Sequence, residues 1–310
     1  MLLLNVSFVT GGPVSWLVWS NPVAIWWSFL VAVSALNIAV WLLLYGYFRT
    51  ANRQSGMLRV ELMVVLCAAY VFGCAFRSIL PRADVQRICL FDMWLSSVFV
   101  GRSVATVAEI CFAAQWAITL RLFAKFTKSD SVLNISSTVV PLIVLAECFS
   151  WYAVITTDYL GHIIENSIWA VTFLLIAGAL FRLLEEFRSA ARVAIAVAFA
   201  GVIAYVAFLA LIDVPMYFDR WQADRESGKK ILSLLAGLYD VSTHWVVTHD
   251  IVQWKDEIAW MSLYFSAAVW SSLALCGIGL RADRLHQYRA NSTHAGIQNG
   301  ACPRTPLELG

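Results

Sequence analysis

Long apolar stretches alternate with short polar links along this chain, and their length decides what they are. A helix rises 1.5 Å per residue, so about twenty apolar residues are needed to cross roughly 30 Å of hydrocarbon. Seven stretches qualify, at about 23–48, 59–80, 93–120, 137–157, 163–182, 193–214 and 257–280, with Pro81 and Pro215 punctuating two of their ends. The pattern predicts an all-α fold: a polytopic integral membrane bundle of about seven transmembrane helices over 23–280. Segment 1–22 precedes it, and a polar tail over 281–310, expected to be disordered and cytoplasmic, follows. No internal repeat is visible. One stretch resists the scheme. Residues 231–254, ILSLLAGLYDVSTHWVVTHDIVQW, begin apolar but carry Asp240, His244, His249 and Asp250. As an eighth span they would reverse the last helix, so they are read as an interfacial helix inside an outer segment, 216–256.

Composition agrees with a membrane solvent. Hydrophobic residues make up 60% of the chain, charged residues only 14%, and the mean hydropathy is +0.72; a soluble domain carries about a quarter charged residues. The net charge of +2 and the absence of a basic cluster exclude nucleic acid as an expected partner. Seven cysteines without a CxxC pair argue against a zinc ribbon or a disulfide scaffold, leaving Cys74 and Cys89, which flank one loop, as the candidate bridge. The opening MLLLNVSFVTGG lacks the basic region of a cleavable signal peptide, so the first span is expected to stay attached.

Lys and Arg set the expected orientation. Arg49, Arg53 and Arg59, then Arg121, Lys125 and Lys128, then Arg182, Arg188 and Arg192, then Arg281, Arg284 and Arg289 fall on one side of seven alternating spans. The opposite short links hold only Arg82 and Arg87. Positive charge inside therefore places the N-terminus outside and the C-terminus inside. Of the sequons at Asn5, Asn134 and Asn291, only Asn5 would then be open to glycosylation.

This topology sorts the charges. Glu147 falls about ten residues, roughly 15 Å of helix rise, below the outer end of span four. Arg102 and Glu109 lie within span three, with Thr106 on the same stripe. Asp158, His162 and Glu165 follow at the next outer turn; Arg77, Asp213, His244, His249, Asp250, Asp256 and Glu257 also fall at that end. An ionised side chain at the bilayer centre costs about 2.5–3.5 kcal/mol on insertion scales. Gathering so many in one half predicts a shared polar cavity opening outward.

Several spacings suggest chemistry. Asp158/His162 and Asp240/His244 stand at i, i+4, where a carboxylate orients an imidazole; helix capping by Asp158 and a solvated 240/244 pair are the plainer alternatives. His162 and Glu165 share a face at i, i+3, and His249, Gln253 and Asp256 form another stripe. Together His162, His244 and His249 offer three nitrogens for Zn²⁺ or Fe²⁺, with Glu165, Asp213 or Asp250 completing the set. Glu109 and Glu147 at similar depth can share a proton and work as acid and base, with Arg102 beside them; the alternative is a polar network that only fixes helix packing. Arg77 or Arg102 would hold an anionic head group, and Asp158 and Asp256 are further candidate substrate contacts. Trp16, Trp19, Trp26, Trp27, Trp94, Trp245 and Trp254 suit an interfacial belt.

No Lys lies deep in a span, which excludes a retinal Schiff base. HExxH, GxSxG, P-loop and Rossmann patterns are absent, so no nucleotide cofactor is expected. The leading expectation is a membrane-embedded, hydrolase-like enzyme that depends on a divalent metal and acts on a lipid or amphipathic substrate. A proton-coupled transporter carrying at Glu109 and Glu147 is one alternative. A receptor-like protein, or a component of a larger membrane complex or homo-oligomer, is another.

Overall fold

The computed structural model describes residue 17 and residues 20–51 and 58–279 of the 310. Asn5, Trp16, Trp19, Arg53, the Arg59 side chain and the tail with Arg281, Arg284, Arg289 and Asn291 lie outside the described residues.

Seven helices are long and apolar enough to cross a membrane. They are α1 (Pro22–Ala51), α2 (Leu58–Ile79), α3 (Val98–Thr127), α4 (Asp130–Thr156), α5 (Leu160–Glu186), the continuous Ala190–Glu226, and Ile251–Gly279. The first six spans pack side by side in chain order, and the last lies against α1 and α2. Caps set the starts more sharply than hydropathy does. The Ser97 hydroxyl accepts from the Val100 amide at 3.4 Å and Ser129 from Val132 at 3.5 Å, so α3 opens at 98 rather than 93 and α4 at 130 rather than 137.

Pro215 does not end its span. Ala190–Glu226 runs through it as α6 (Ser189–Phe208), a π turn (Leu209–Asp213) and α7 (Val214–Glu226). Proline lacks the amide that would close a normal turn, and the widened turn before it absorbs the mismatch without breaking the helix. Residues 216–226 of the expected outer segment 216–256 therefore continue the span as helix. The last span likewise begins at Ile251, as α9 (Ile251–Leu263), and carries its own π turn at Tyr264–Ala268.

Stretch 231–254 is not an eighth span. It holds α8 (Leu234–Thr243), ten residues and so about 15 Å long, too short to cross. Gly237 and Val241 face inward. A Cβ on Gly237 would stand 2.0 Å from the Ile155 carbonyl oxygen, so only glycine permits this approach to α4. Leu234, Leu235, Leu238 and Tyr239 are exposed. After α8, β3 (Val246–Val247) pairs in parallel with β2 (Ile88–Cys89), which pairs antiparallel with β1 (Arg82–Ala83). These links close one end of the bundle, here called the loop end.

Arg87 clamps that end. Its Nε lies 2.7 Å from Asp240 Oδ2, Nη2 donates to the Val154 carbonyl at 2.8 Å, and Nη1 donates to the Asp84 carbonyl at 2.5 Å. One side chain thus ties the β1–β2 loop to α4 and α8. Arg87→Ala is expected to cost about 2–3 kcal/mol, the loss of one charged pair and its carbonyl bonds, read as a lower thermal midpoint in detergent.

Two expectations are corrected here. Cys74 and Cys89 are separate buried thiols; Cys89 makes a 3.4 Å bond to the Phe91 carbonyl, and burial pushes its thiol up to about 11, which leaves it inert. Trp26 and Trp254 are not belt residues: they are buried with ring centroids 5.5 Å apart. Trp94, by contrast, is exposed.

Candidate functional site

Three helices deliver one carboxylate each to the bundle interior: Glu109 from α3, Glu147 from α4 and Glu165 from α5. All three are buried, and an oxygen of each lies within 4.8 Å of the others. The side chain that joins them is Arg102, two turns before Glu109 on α3. Its Nη2 stands 2.8 Å from Glu147, 3.0 Å from Glu109 and 3.7 Å from Glu165. An extended arginine spans the seven-residue interval along its own helix and still reaches α4 and α5.

Neutral donors fix the remaining geometry. Thr106, between Arg102 and Glu109, donates to Glu147 Oε2 at 2.6 Å, and Trp151 Nε1 donates to the Thr106 hydroxyl at 3.0 Å. Tyr264, in the π turn of the last helix, donates to Glu109 Oε1 at 2.8 Å. Arg77 Nη1 is 3.9 Å from the same oxygen, with its guanidinium near the Tyr264 and Phe265 rings. Glu147 Oε1 has no hydrogen-bond partner among the described residues although it is buried.

From Glu165 polar groups continue toward the loop end. His162 Nδ1 lies 2.6 Å from Glu165 Oε2, and its ring packs 4.9 Å from that of Tyr217 on α7. Asp213, in the other π turn, accepts from Asn166 at 2.9 Å. Toward the far end aromatic rings replace the charged groups. Tyr70, Phe112, Trp116 and Phe173 form a buried aromatic layer, with exposed Tyr205 against Phe173 at its edge and ring centroids 4.6–6.5 Å apart between touching pairs. Phe112 is one turn past Glu109 and Phe173 two turns past Glu165, so the layer stands directly beneath the acids.

The structure brings together Arg77, Arg102, Glu109, Glu147, His162 and Glu165, with Asp213 beside them, and leaves the rest elsewhere. The three histidines do not converge, and among the described residues the acidic trio, with no histidine in it, is the group within mutual ligand reach. His244 is exposed and bonds Asp240 at 3.1 Å, while His249 Nε2 meets the Leu90 carbonyl at 3.0 Å in the loop-end cap. Asp250 caps α9 by accepting from the Val252 amide at 3.0 Å, so His249 precedes that helix and the 249/253/256 stripe is not formed. Asp158 accepts from the Leu160 amide at 3.0 Å and starts α5. Asp256 pairs with Arg220 at 3.3 Å at the surface.

Four contributors were not anticipated: Tyr264, Trp151, Asn166 and Tyr217. An aromatic in an apolar span looks like any other lipid-facing or core ring, and Tyr217 sits in what hydropathy renders as a loop. Only Asn166, beside Glu165, carried a readable signal as a costly amide in a span.

Fold and site together define a class: a multi-pass helical bundle with a buried acid–guanidinium centre, aromatic on one side and polar on the other. Comparison with known proteins finds no matching family model, no similar curated protein and no similar solved structure.

Proposed function

We propose that this protein is a membrane-embedded enzyme that performs acid–base chemistry on a lipid or amphipathic substrate admitted from the loop end, the non-cytoplasmic side. The observation that supports it most is Glu147. Arg102 and Thr106 hold one of its oxygens while the other has no partner in a buried site. An orphaned buried acceptor costs about 1–3 kcal/mol, so an ion pair that only fixed helix packing would gain nothing from leaving it open. A carboxylate with one oxygen fixed and one open is arranged to take or give a proton. Glu165 and His162 extend from it toward the loop end as a route for that proton. Arg77 and Arg102 against Glu109, Glu147 and Glu165 leave one formal negative charge in excess, which a proton, a cation or a cationic substrate group can meet. The aromatic layer beneath the acids disfavours a carrier, which needs access from both sides.

Glu147→Gln tests the reading. Purified protein in lipid nanodiscs is offered lipid extracts and amphipathic conjugates, with products followed by mass spectrometry. The isosteric variant is expected to insert and stay monodisperse yet form no product, a loss of at least about a hundredfold for a missing proton-transfer group. Equal turnover by the variant would reassign Glu147 to packing, and wild-type protein that converts nothing would remove the enzyme reading.

The mutual reach of the three acids favours a second version, in which they hold a divalent cation such as Zn²⁺ or Fe²⁺. Against it, Arg102 Nη2 already stands among the three carboxylates. Metal analysis separates the two: one ion per chain, lost in Glu109→Gln, supports the metal version. A metal-free preparation whose turnover ignores chelators supports proton chemistry alone.

A further inference from the structure

Two of the seven spans contain a π turn, and both turns sit at the site. Leu209–Asp213 ends in Asp213, which holds Asn166; Tyr264–Ala268 begins with Tyr264, which holds Glu109. On the loop-end side of each turn stands a thirteen-residue helix, α7 and α9. The charged contacts between the two run through one side chain. Arg220 on α7 bonds Glu257 at 3.1 Å and Asp256 at 3.3 Å on α9.

The two partners differ in kind. Glu257 is buried, and it also accepts from Gln86 of the β1–β2 loop at 3.0 Å and from Trp260 Nε1 at 2.5 Å. It is the fixed post. Arg220 is partly exposed, with its guanidinium 5.8 Å from the ring centroids of both Tyr159 and Tyr217, and Tyr217 in turn covers His162. No residue of α7 is fully buried, and the segment packs on α5 rather than on α9, so its hold on α9 runs through these charged contacts.

We infer that α7 is a gate over the acid centre, pivoting at the Leu209–Asp213 π turn and latched by Arg220 on Glu257. A π turn stores one residue more than a regular turn, so its neighbours can re-register without the helix breaking. Pro215 removes one restraining amide at the same place. Opening draws Arg220 away from Glu257 and Tyr217 away from His162, which uncovers the path to Glu165. Closing excludes water from the buried charges, where electrostatic interactions then act at full strength. The pivot carries Asp213, so movement of the gate is felt in the site through Asn166.

What lies under the gate rests on the proposed function, but the motion is measurable without any reaction. Amide hydrogen exchange is followed by mass spectrometry on the full chain in nanodiscs. In Arg220→Gln, exchange in 214–226 is expected to accelerate roughly tenfold or more, the loss of a charged hydrogen bond, with smaller acceleration in 251–263. Spans 98–186 should keep wild-type rates. Arg220→Lys, which keeps the charge, should fall between. Asp256→Asn removes only the exposed arm and should accelerate the same segments by about twofold, the worth of a surface pair; it serves if the arginine variants fail to fold. Unchanged exchange in 214–226 of Arg220→Gln overturns the gate, as does equal acceleration across 98–186. A null result for turnover in Glu147→Gln bears on the site and not on the gate.

Discussion

Arg102→Met is expected to destabilise the bundle by about 3–5 kcal/mol, the usual result of removing one partner from a buried ion pair. The cost is not the lost attraction but what remains. Glu109, Glu147 and Glu165 would stand within 4.8 Å of one another, with Arg77, 3.9 Å from Glu109, as the arginine left beside them. Like charges at that range repel strongly where water is excluded. Methionine keeps most of the volume, so cavity formation contributes little. The control is neutralisation: in a Glu109→Gln, Glu147→Gln, Glu165→Gln background the same Arg102→Met change should cost far less, because no uncompensated carboxylate is left. Thermal unfolding in detergent, followed by the fluorescence of the fourteen tryptophans, measures both. Equal losses in the two backgrounds would show that Arg102 acts by packing alone.

The second large effect belongs to a residue with no charge. Gly161→Ala should destabilise by about 1–3 kcal/mol through overpacking, although glycine-to-alanine in a helix ordinarily gains up to about 1 kcal/mol from propensity. The new Cβ would stand 2.6 Å from the Phe149 carbonyl oxygen, 2.7 Å from Ala153 Cβ and 2.8 Å from the Ala153 amide nitrogen. Two of those three atoms are backbone, so no rotamer change relieves the clash. The first turn of α5 must move off α4 and takes His162 and Glu165 with it. Gly178→Ala in the same helix meets nothing within 4 Å and should be neutral or stabilising. The opposite signs of two identical substitutions in one helix make the comparison decisive. A stabilising Gly161→Ala would mean that α4 and α5 do not approach this closely.

Both predictions show which parts of the site were legible in the chain. Glu109, Glu147, Arg102 and Glu165 were visible because hydrocarbon makes every charge conspicuous: an ion with no neighbours in water is ordinary, whereas in a span it needs a reason. Helical spacing even gave the His162–Glu165 contact, since i, i+3 neighbours meet on any helix. The proposed three-histidine metal centre was not a matter of spacing along one element. It needed three loops to converge, and Asp250, Asp158 and Asp240 proved to be engaged in caps and in the Arg87 clamp. Short polar side chains at helix starts serve backbone amides first, and sequence spacing does not reveal that competition. Arg220 and Tyr217 were hidden by the reading of Pro215 as a stop. The π turn that lets the helix continue has no signature in hydropathy.

The sequence by itself determined the solvent, the number of spans and the half of the bundle where the ionisable groups lie. Each of these follows from a local cost, twenty apolar residues per crossing and a fixed penalty per buried charge, which adds up along the chain without knowledge of neighbours. Only the tertiary structure decided which acids share Arg102, that an aromatic layer lies beneath them, and that two π turns place Asp213 and Tyr264 at the same centre. Those are contacts between helices, and they depend on rotation and depth to within a side-chain length, which hydropathy averaged over a whole span does not resolve.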